Sequence, residues 1–319
     1  MKKLRAAVIG IGHLGKEHAR IYHGVPEIEL VGLCDIDPSK RENADLLGVR
    51  FATDFHELLS EIDIASIATP TTTHYQVARE VLNSGVHVLI EKPITPRLEE
   101  ADELIEIAKQ KKLTLQVGHL ERYNAGFRRI EQIAHNIHFL EIHRLGPFTP
   151  RISDCGVVLD LMIHDIDIVL QLVKSEIVSL DAIGIPVLTP YEDIANVRIK
   201  FKNNAVANLT ASRLTPERQR KIRIFQEDAY ISLDYVSQTA QIFRKAGFPA
   251  ALFGGKISRE QIDIKKEEPL KAEIEHFARA VSEKTLNGKP DVQAREALRV
   301  ALEILESIKQ NSPKPIHAA

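Results

Sequence analysis

The feature that most constrains the fold is a short apolar run that ends in three spaced glycines. Residues 5–9 are an alanine and β-branched run, and they lead into Gly10-Ile11-Gly12-His13-Leu14-Gly15, after which residues 16–22 show a helical pattern. Glycines in such a turn let the backbone approach a pyrophosphate, and the following helix offers unpaired N–H groups and partial positive charge. A G-x-G-x-x-G match also arises in chance turns, so its context decides the interpretation.

The context is a second predicted strand, residues 29–34, which ends at an acidic residue. Asp35 follows the glycine turn at the spacing of about 20 residues expected for the carboxylate that holds an adenosine ribose. A carboxylate accepts bonds from both ribose hydroxyls and repels a 2′-phosphate. The sequence therefore predicts a bound dinucleotide, NAD in preference to NADP. Lys40 and Arg41 would favour a phosphate, but they follow Pro38 at a helix start and are predicted to face solvent.

Strand and helix patterns continue to alternate through the first 120 residues, which predicts a parallel, doubly wound sheet. The later predicted elements are a helix near residues 56–59, a strand at 62–68, helices at 76–83 and 96–111, and a strand at 113–117. Thr69 and Pro70 lie at the carboxyl end of a strand and are expected to contact the cofactor, as are His13 and Leu14 in the glycine turn. His74 is open to two interpretations, a cofactor contact or a capping and packing residue.

A further buried strand, Val86–Ile90, ends in Glu91-Lys92-Pro93. Open parallel sheets bind ligands at the carboxyl ends of their strands, and Pro93 holds the preceding residue in an extended conformation. Lys92 is therefore a candidate catalytic and cofactor-binding residue, with Glu91 as a further cofactor contact. For an isolated lysine, a solvated side chain at a loop start is the simpler alternative.

A chain of 319 residues favours two domains, and the texture of the sequence changes after residue 120. Ile194–Phe201 alternates apolar and polar residues in its second half, and Asn203-Asn204 predicts a hairpin turn. The fold class is therefore α/β, with an N-terminal Rossmann doubly wound parallel sheet in residues 1–120. Residues 121–319 are predicted to form an α+β domain with an open, mostly antiparallel sheet.

Composition excludes several classes of protein. The net charge of -2 gives no general attraction to nucleic acid or to an anionic membrane, and no apolar run reaches the ~20 residues of a membrane span. The two cysteines are too few for a disulfide framework or a zinc cluster, so no metal is predicted. We expect a cytoplasmic protein, since the basic N-terminus is not followed by the apolar core of a signal peptide.

One predicted helix, residues 157–170, is apolar around most of its circumference and yet carries Asp160, His164 and Asp167 on one side. Burying such groups costs several kcal/mol unless they are paired. A carboxylate one turn from an imidazole orients the ring and raises its basicity, so His164 is the candidate general base and Asp160 its partner. A self-satisfied buried pair and a metal site are the alternatives, and the metal site lacks further ligands at suitable spacing.

The glycine motif, Asp35, Glu91-Lys92-Pro93 and Asp160-x-x-x-His164, in this order and at these separations, resemble the Gfo/Idh/MocA family of NAD(P)-dependent oxidoreductases. The resemblance covers essentially the whole chain. It implies a Rossmann domain and an open-faced sheet domain with a sugar, cyclitol or sugar nucleotide held between them, and a homodimer or homotetramer. It also implies that Lys92, Asp160 and His164 are the catalytic set. Asp154-Cys155-Gly156 departs from the paired glycines of many members.

Residues 118–124, 143–148 and 158–165 are similar to the branch of that family that oxidises UDP-N-acetylglucosamine at its 3-hydroxyl, in lipid A biosynthesis. The expected substrate-binding residues are Arg122, Tyr123, Asn124, Arg144 and Arg151. Arg144, Arg151 and Arg213 would offer forked donors to a diphosphate, although each arginine alone is as readily a solvated side chain. The alternatives are a free polyol or inositol-type dehydrogenase, a non-catalytic NAD-binding sensor and a metal phosphohydrolase.

Overall fold

A computed structural model describes residues 3–149, 155–245, 257–286, 288 and 291–311. The chain divides into two compact units: unit 1 is Met1–Leu120 with Glu268–Glu296, and unit 2 is Glu121–Glu267 with Ala297–Ala319. The sequence predicted domains at residues 1–120 and 121–319, and so placed residues 268–296 with the second. They group with unit 1 because the apolar side chains of the helix they contain belong to its hydrophobic core.

Unit 1 is built on a parallel sheet of six strands. The strands are β1 (Leu4–Ile9), β2 (Ile28–Cys34), β3 (Arg50–Ala52), β4 (Ile64–Ile67), β5 (His87–Glu91) and β6 (Leu115–Gly118). Helices α1 (His13–Gly24), α2 (Arg41–Leu47), α3 (Thr71–Asn83) and α4 (Leu98–Gln110) alternate with them. The strand order β3-β2-β1-β4-β5-β6 is that of the dinucleotide-binding fold, which confirms the predicted Rossmann sheet.

One helix predicted in unit 1 is a shorter turn in the structure. Residues 56–59 were expected to be helical, but the structure has a single 3₁₀ turn at Phe55–Glu57. Asp54 caps the start of this turn by accepting the backbone N–H of His56 at 3.0 Å. An acidic residue that bonds the main chain two residues later stabilises a local turn in place of a longer helix.

The register of the sheet determines which loops are neighbours. Ile9 of β1 lies opposite Ile67 of β4, and Ile67 lies opposite Ile90 of β5. The chain segments that follow these three residues leave the sheet side by side at one edge. They are the glycine turn, the Thr69 loop and the Lys92 loop.

Unit 2 contains an eight-stranded sheet in the order β14-β13-β12-β11-β7-β10-β9-β8. Its elements are α5 (Ala125–Glu131), β7 (Ile137–Leu145), α6 (Ile163–Val173), β8 (Ile177–Ile185), β9 (Ile194–Phe201), β10 (Val206–Ser212), β11 (Gln219–Gln226), β12 (Ala229–Asp234), β13 (Thr239–Lys245) and β14 (Ile257–Ile262). All neighbours pair antiparallel except β7 with β10. The predicted open, mostly antiparallel sheet is confirmed.

The burial pattern explains which strands the sequence revealed. In β9 buried and exposed residues alternate along the strand, as the apolar and polar pattern predicted. In β14 five of six residues are exposed, so no apolar period marks it as a strand. The last two described helices are α7 (Pro269–Ser282) and α8 (Val292–Asn311). Among the described residues no helix is both long and apolar enough to cross a membrane.

One buried carboxylate organises the loop between β8 and β9. Asp193 accepts the backbone N–H groups of Val187, Leu188 and Thr189 at 2.5–3.0 Å and the Nε–H of Arg213 at 2.6 Å. Burial alone raises the pKa of this carboxyl. The three N–H donors and Arg213 outweigh that effect and lower the pKa of Asp193 well below its usual range.

We expect Asp193→Asn to lower the free energy of unfolding by about 3 kcal/mol at neutral pH, because Arg213 loses its buried ionic partner. The pKa of Asp193 is lower in the folded protein than in the unfolded chain, where it is about 3.9. Asp193 therefore stabilises the fold fully at a pH above the unfolded-state pKa, and this stabilisation is lost as the pH falls towards the folded-state pKa. Urea unfolding at neutral pH and at roughly pH 3 measures this dependence. A difference between the two proteins that stays constant with pH would contradict the ionic explanation.

Candidate active site

The three glycines after β1 meet different surroundings. A Cβ on Gly15 would lie 1.8 Å from the carbonyl oxygen of Gly10. A Cβ on Gly10, whose φ is +90°, would lie 2.8 Å from the carbonyl group of Ala68. Both positions therefore require glycine for the turn to pack. Gly12 differs, because a Cβ there has no atom within 4 Å and extends into open space.

The first turn of α1 is suited to an anion. The N-cap of α1 is Gly12, which has no side chain to bond the N–H groups of the first turn, and no acidic residue lies in that turn. Gly12, His13 and Leu14 are exposed, as expected for residues that contact a ligand. The N–H groups at a helix start lack partners within the helix and carry partial positive charge. The open space at Gly12 and this helix start fit the pyrophosphate of a dinucleotide.

Asp35 follows β2, and its carboxylate is bonded to the glycine turn. Oδ2 accepts the backbone N–H of Ile11 at 2.7 Å, and Oδ1 accepts that of Asp37 at 2.9 Å. A carboxylate has about four acceptor positions, so both oxygens retain capacity for a ribose hydroxyl. The position of Asp35 beside the turn fits the adenosine side of a dinucleotide.

His74 connects the loop after β4 to the loop after β5. Its Nδ1 lies 2.9 Å from the carbonyl oxygen of Pro93, and its Nε2 lies 2.9 Å from that of Thr69. Burial lowers the pKa of His74, and the two carbonyl contacts oppose this only in part. A buried ring that lies between two main-chain carbonyls, and donates to one of them when it is neutral, favours the packing interpretation over a cofactor contact. Thr69 is half-buried and Pro70 exposed, at the edge where the glycine turn lies.

Lys92 lies directly after β5 and is half-buried. Next to it, the carboxylate of Glu91 lies 2.9 Å from Nε2 of His18 and accepts the backbone N–H of Lys92 at 3.3 Å. Burial raises the pKa of Glu91, but the hydrogen bond from His18, together with the charge and backbone N–H of Lys92, outweighs it and lowers the pKa. Glu91 was expected to contact the cofactor, whereas both of its oxygens bind protein groups that support the Lys92 loop.

The helix that carries Asp160 and His164 differs from the continuous α-helix that the sequence predicted. Val158–Met162 is π-helical, and α6 begins at Ile163. Asp160 and His164 are both half-buried. Because a π turn contains about one residue more than an α turn, the two residues remain roughly one turn apart. Glu192 holds the start of this segment by accepting the backbone N–H of Val158 at 3.1 Å.

Two of the arginines expected to bind substrate have partners inside unit 2. Arg144 is buried and donates to Asp165 at 2.7 Å and to Glu121 at 2.8 Å. Burial lowers the pKa of Arg144, but the two carboxylates outweigh it and raise the pKa. Arg122 donates its Nε–H to Asp167 at 2.7 Å. Burial and the two carboxylates favour a structural role for Arg144, and its contact with substrate stays a prediction.

Asn124 is also structural. Its side chain accepts the backbone N–H of Gly126 at 3.0 Å, which caps α5, and it donates to the carbonyl oxygen of Tyr235 at 3.2 Å. The residue is 2% exposed, which favours this structural role, and its contact with substrate stays a prediction. Tyr123 is half-buried in a 3₁₀ turn. Arg151 lies outside the described residues.

The chain matches two family models. Residues 4–119 match the model described as "Oxidoreductase family, NAD-binding Rossmann fold", and residues 137–232 match the "GFO/IDH/MocA C-terminal domain". The chain belongs to the Gfo/Idh/MocA family of oxidoreductases. This membership confirms the resemblance inferred from the glycine motif, Glu91-Lys92-Pro93 and Asp160-x-x-x-His164.

Two relatives of the chain carry the names of dehydrogenases. It is 38% identical to the UDP-N-acetylglucosamine 3-dehydrogenase of Acidithiobacillus ferrooxidans over 97% of this chain and 98% of that protein. A solved structure of the enzyme of that name from the same organism covers 97% of this chain and 99% of its own, with 36% identity and a TM-score of 0.89. The chain is also 32% identical to the scyllo-inositol 2-dehydrogenase (NAD(+)) of Bacillus subtilis, over 67% and 68% of the two chains. This chain is likewise a dehydrogenase that acts on CH–OH groups.

Among the described residues, no group of three or more His, Cys, Asp or Glu side chains is arranged to hold a metal ion.

Sequence reasoning missed His18 as a residue of the site. The available signal was its position four residues before Tyr22 on the buried face of α1. A polar pair at this spacing on a helix that packs against a sheet requires buried partners.

Alanine substitutions at Gly12 and Gly15 form a matched pair. Gly12→Ala should fold like the wild type, since the new methyl group meets no protein atom, but should weaken NADH binding by about tenfold or more by obstructing the pyrophosphate. Gly15→Ala should lower the free energy of unfolding by about 3 kcal/mol, because the overlap with Gly10 forces the backbone to move. Thermal unfolding and fluorescence titration with NADH measure the two effects. A Gly12→Ala protein that binds NADH normally would refute the phosphate site.

Proposed function

We propose that the chain is an NAD-dependent dehydrogenase of UDP-N-acetylglucosamine that oxidises the 3-hydroxyl, or reduces the corresponding ketone. The observation that carries this proposal is the 38% identity to an enzyme of that name over nearly the full length of both proteins. The likeness of the folds, with a TM-score of 0.89 over 97% of this chain, supports it.

The surroundings of Asp35 support NAD over NADP. A carboxylate at this position accepts from ribose hydroxyls and repels a 2′-phosphate. The two nearby cations that would favour a phosphate have other neighbours: Lys40 lies 3.9 Å from Asp37, and the guanidinium of Arg41 lies 5.1 Å from the ring centroid of Phe51. NADP should therefore bind more weakly than NAD.

The proposed chemistry divides between two side chains. Bound NAD supplies the hydride acceptor at its nicotinamide ring. His164 removes the proton of the substrate hydroxyl as general base. The role proposed for the ammonium group of Lys92 is to stabilise the negative charge that develops on the hydroxyl oxygen. In the opposite direction the same two groups return the proton to a carbonyl oxygen.

Asp160 is proposed to orient His164. A carboxylate about one turn away can fix the tautomer and direction of an imidazole ring, and it stabilises the imidazolium that forms when the ring takes up a proton. The backbone N–H of Asp160 donates to the carbonyl oxygen of Gly156 at 3.1 Å. This bond helps to hold the segment that carries Asp160 in place.

A free polyol or inositol substrate is the second candidate, and one observation favours it. Arg144 and Arg213, which were expected to bind a diphosphate, are buried and donate to Asp165 and Asp193. A diphosphate would then require other donors. The 32% identity to a scyllo-inositol 2-dehydrogenase supports the same candidate.

A homodimer or homotetramer stays a prediction, as do the cytoplasmic location and the role in lipid A biosynthesis. The exposed face of the unit 2 sheet carries a row of neighbouring aromatic rings, with centroids 4.9–5.6 Å apart between successive members. The row consists of Phe139, Phe225, Tyr230 and Phe243. An apolar row on a sheet face is compatible with subunit association.

A panel of substrates separates the two candidates. Reduction of NAD and of NADP should be followed with UDP-N-acetylglucosamine, free N-acetylglucosamine, myo-inositol and scyllo-inositol. The proposal requires that kcat/KM be highest for UDP-N-acetylglucosamine with NAD. A higher kcat/KM for an inositol would instead favour a polyol dehydrogenase.

Lys92→Ala and His164→Ala test the catalytic roles. Both variants should bind NADH like the wild type, while kcat falls by about a hundredfold or more, since a charge-stabilising donor and a general base are typically worth that much. Lys109→Ala and His138→Ala, at exposed positions of α4 and β7, are the matched controls and should keep full activity. Turnover retained in Lys92→Ala and His164→Ala would end the assignment.

A further inference from the structure

Four polar side chains of unit 1 form a buried hydrogen-bonded chain that ends beside Lys92. The hydroxyl oxygens of Tyr22 and Ser66 are 2.7 Å apart, and the Ser66 oxygen is 2.9 Å from Nδ1 of His18. Nε2 of His18 is 2.9 Å from a carboxylate oxygen of Glu91. The four residues are at most 9% exposed. None of these contacts is needed to explain a dinucleotide site.

This hydrogen-bonded chain of side chains links three elements of secondary structure. His18 lies on the buried face of α1, Ser66 lies within the otherwise apolar β4, and Glu91 ends β5. Gly118 of β6 pairs with Glu91, and a Cβ on Gly118 would lie 3.0 Å from the Glu91 carboxylate. The absence of a side chain at this position leaves room for the carboxylate. Burying polar groups in this way costs free energy unless each of them is hydrogen-bonded.

The direction of the hydrogen bonds follows from the groups themselves. Burial raises the pKa of Tyr22, so its phenol keeps the proton and donates it to Ser66. Ser66 then donates to Nδ1 of His18, and the Nε2–H of His18 donates to the ionised Glu91. In this arrangement each hydrogen-bonding proton of the four side chains has one acceptor. A doubly protonated His18 would leave one of the two hydroxyl protons without an acceptor among the four groups.

We propose that His18 is a positioning residue for the reaction, which holds the Glu91 carboxylate so that it fixes the main chain of Lys92. Glu91 transmits this restraint because its other oxygen accepts the backbone N–H of Lys92 at 3.3 Å. Tyr22 and Ser66 keep His18 in the tautomer that donates to Glu91. The inference rests on the proposed function, in which Lys92 contacts the reacting oxygen, and a shift of about 1 Å at such a group can cost up to a hundredfold in rate.

Two conservative substitutions separate positioning from packing. The amide nitrogen of Gln replaces Nε2 of His18 and can donate to Glu91, whereas that of Asn replaces Nδ1 and does not reach Glu91. His18→Asn should lose about tenfold to a hundredfold in kcat with little change in KM or in the Kd of NADH. His18→Gln should stay within about threefold of the wild type in kcat, since it keeps the Glu91 bond. His23→Gln, at an exposed histidine of the same helix, is the matched control.

Equal losses of kcat in His18→Gln and His18→Asn, or unchanged kcat in both, would overturn the inference. So would a weakened affinity for NADH that accounts for the loss, because His18 would then support the cofactor site as a whole. Wild-type protein that oxidises none of the panel substrates would refute the proposed function instead. The two failures are thus distinguishable.

A spectroscopic measurement tests the hydrogen-bond directions without substrate or turnover. In protein with ¹⁵N-labelled histidine, the signal that disappears in His18→Gln belongs to His18. We expect it to show a neutral ring that carries its proton on Nε2. A ring protonated on Nδ1 alone, or on both nitrogens, would contradict the chain of donors from Tyr22 to Glu91. If His18→Gln fails to fold, the signal that is missing in His18→Asn gives the same assignment.

Discussion

The proposed chemistry of unit 1 depends on the carboxyl ends of three neighbouring strands meeting at one edge of a parallel sheet. Because Ile9, Ile67 and Ile90 share one register, the glycine turn, the Thr69 loop and the Lys92 loop begin side by side. The close approach of Gly15 to Gly10 packs the first of these loops, and His74 connects the other two. A ligand with phosphates at the helix start therefore lies along the same edge as Lys92.

In each unit, a buried charged residue next in sequence to a candidate catalytic residue is hydrogen-bonded within that unit. Glu91 lies between His18 and the backbone of Lys92, and Arg144 lies between Asp165 and Glu121. Breaking such a pair leaves an uncompensated buried charge, which costs far more than the loss of a surface pair. In unit 1, Glu91 in this way ties the main chain at Lys92 to helix α1. Rigid support of this kind is what positions a reacting side chain to within a fraction of an ångström.

Sequence reasoning succeeded where the physical signal is local and failed where it depends on distant partners. The spacing of Gly10, Gly12 and Gly15 and the alternation in β9 are local patterns, and both predicted the structure correctly. Arg144 looks like a surface donor until the fold brings it to two carboxylates more than 20 residues away. The π-helical segment Val158–Met162 has the same apolar pattern as an α-helix, so composition cannot reveal it. The contribution of residues 268–296 to unit 1 likewise depends on a core that forms only on folding.

Deuterium placed at C3 of UDP-N-acetylglucosamine provides the most direct measurement of the proposed reaction. If the hydrogen on the carbon of the 3-hydroxyl passes to nicotinamide while His164 and Lys92 act on the oxygen, the reduced cofactor isolated after turnover carries the deuterium. Mass spectrometry of the cofactor detects the label. Reduced cofactor without deuterium would contradict oxidation at this carbon, and no reduction at all, under conditions in which an inositol is oxidised, would contradict the sugar nucleotide as substrate.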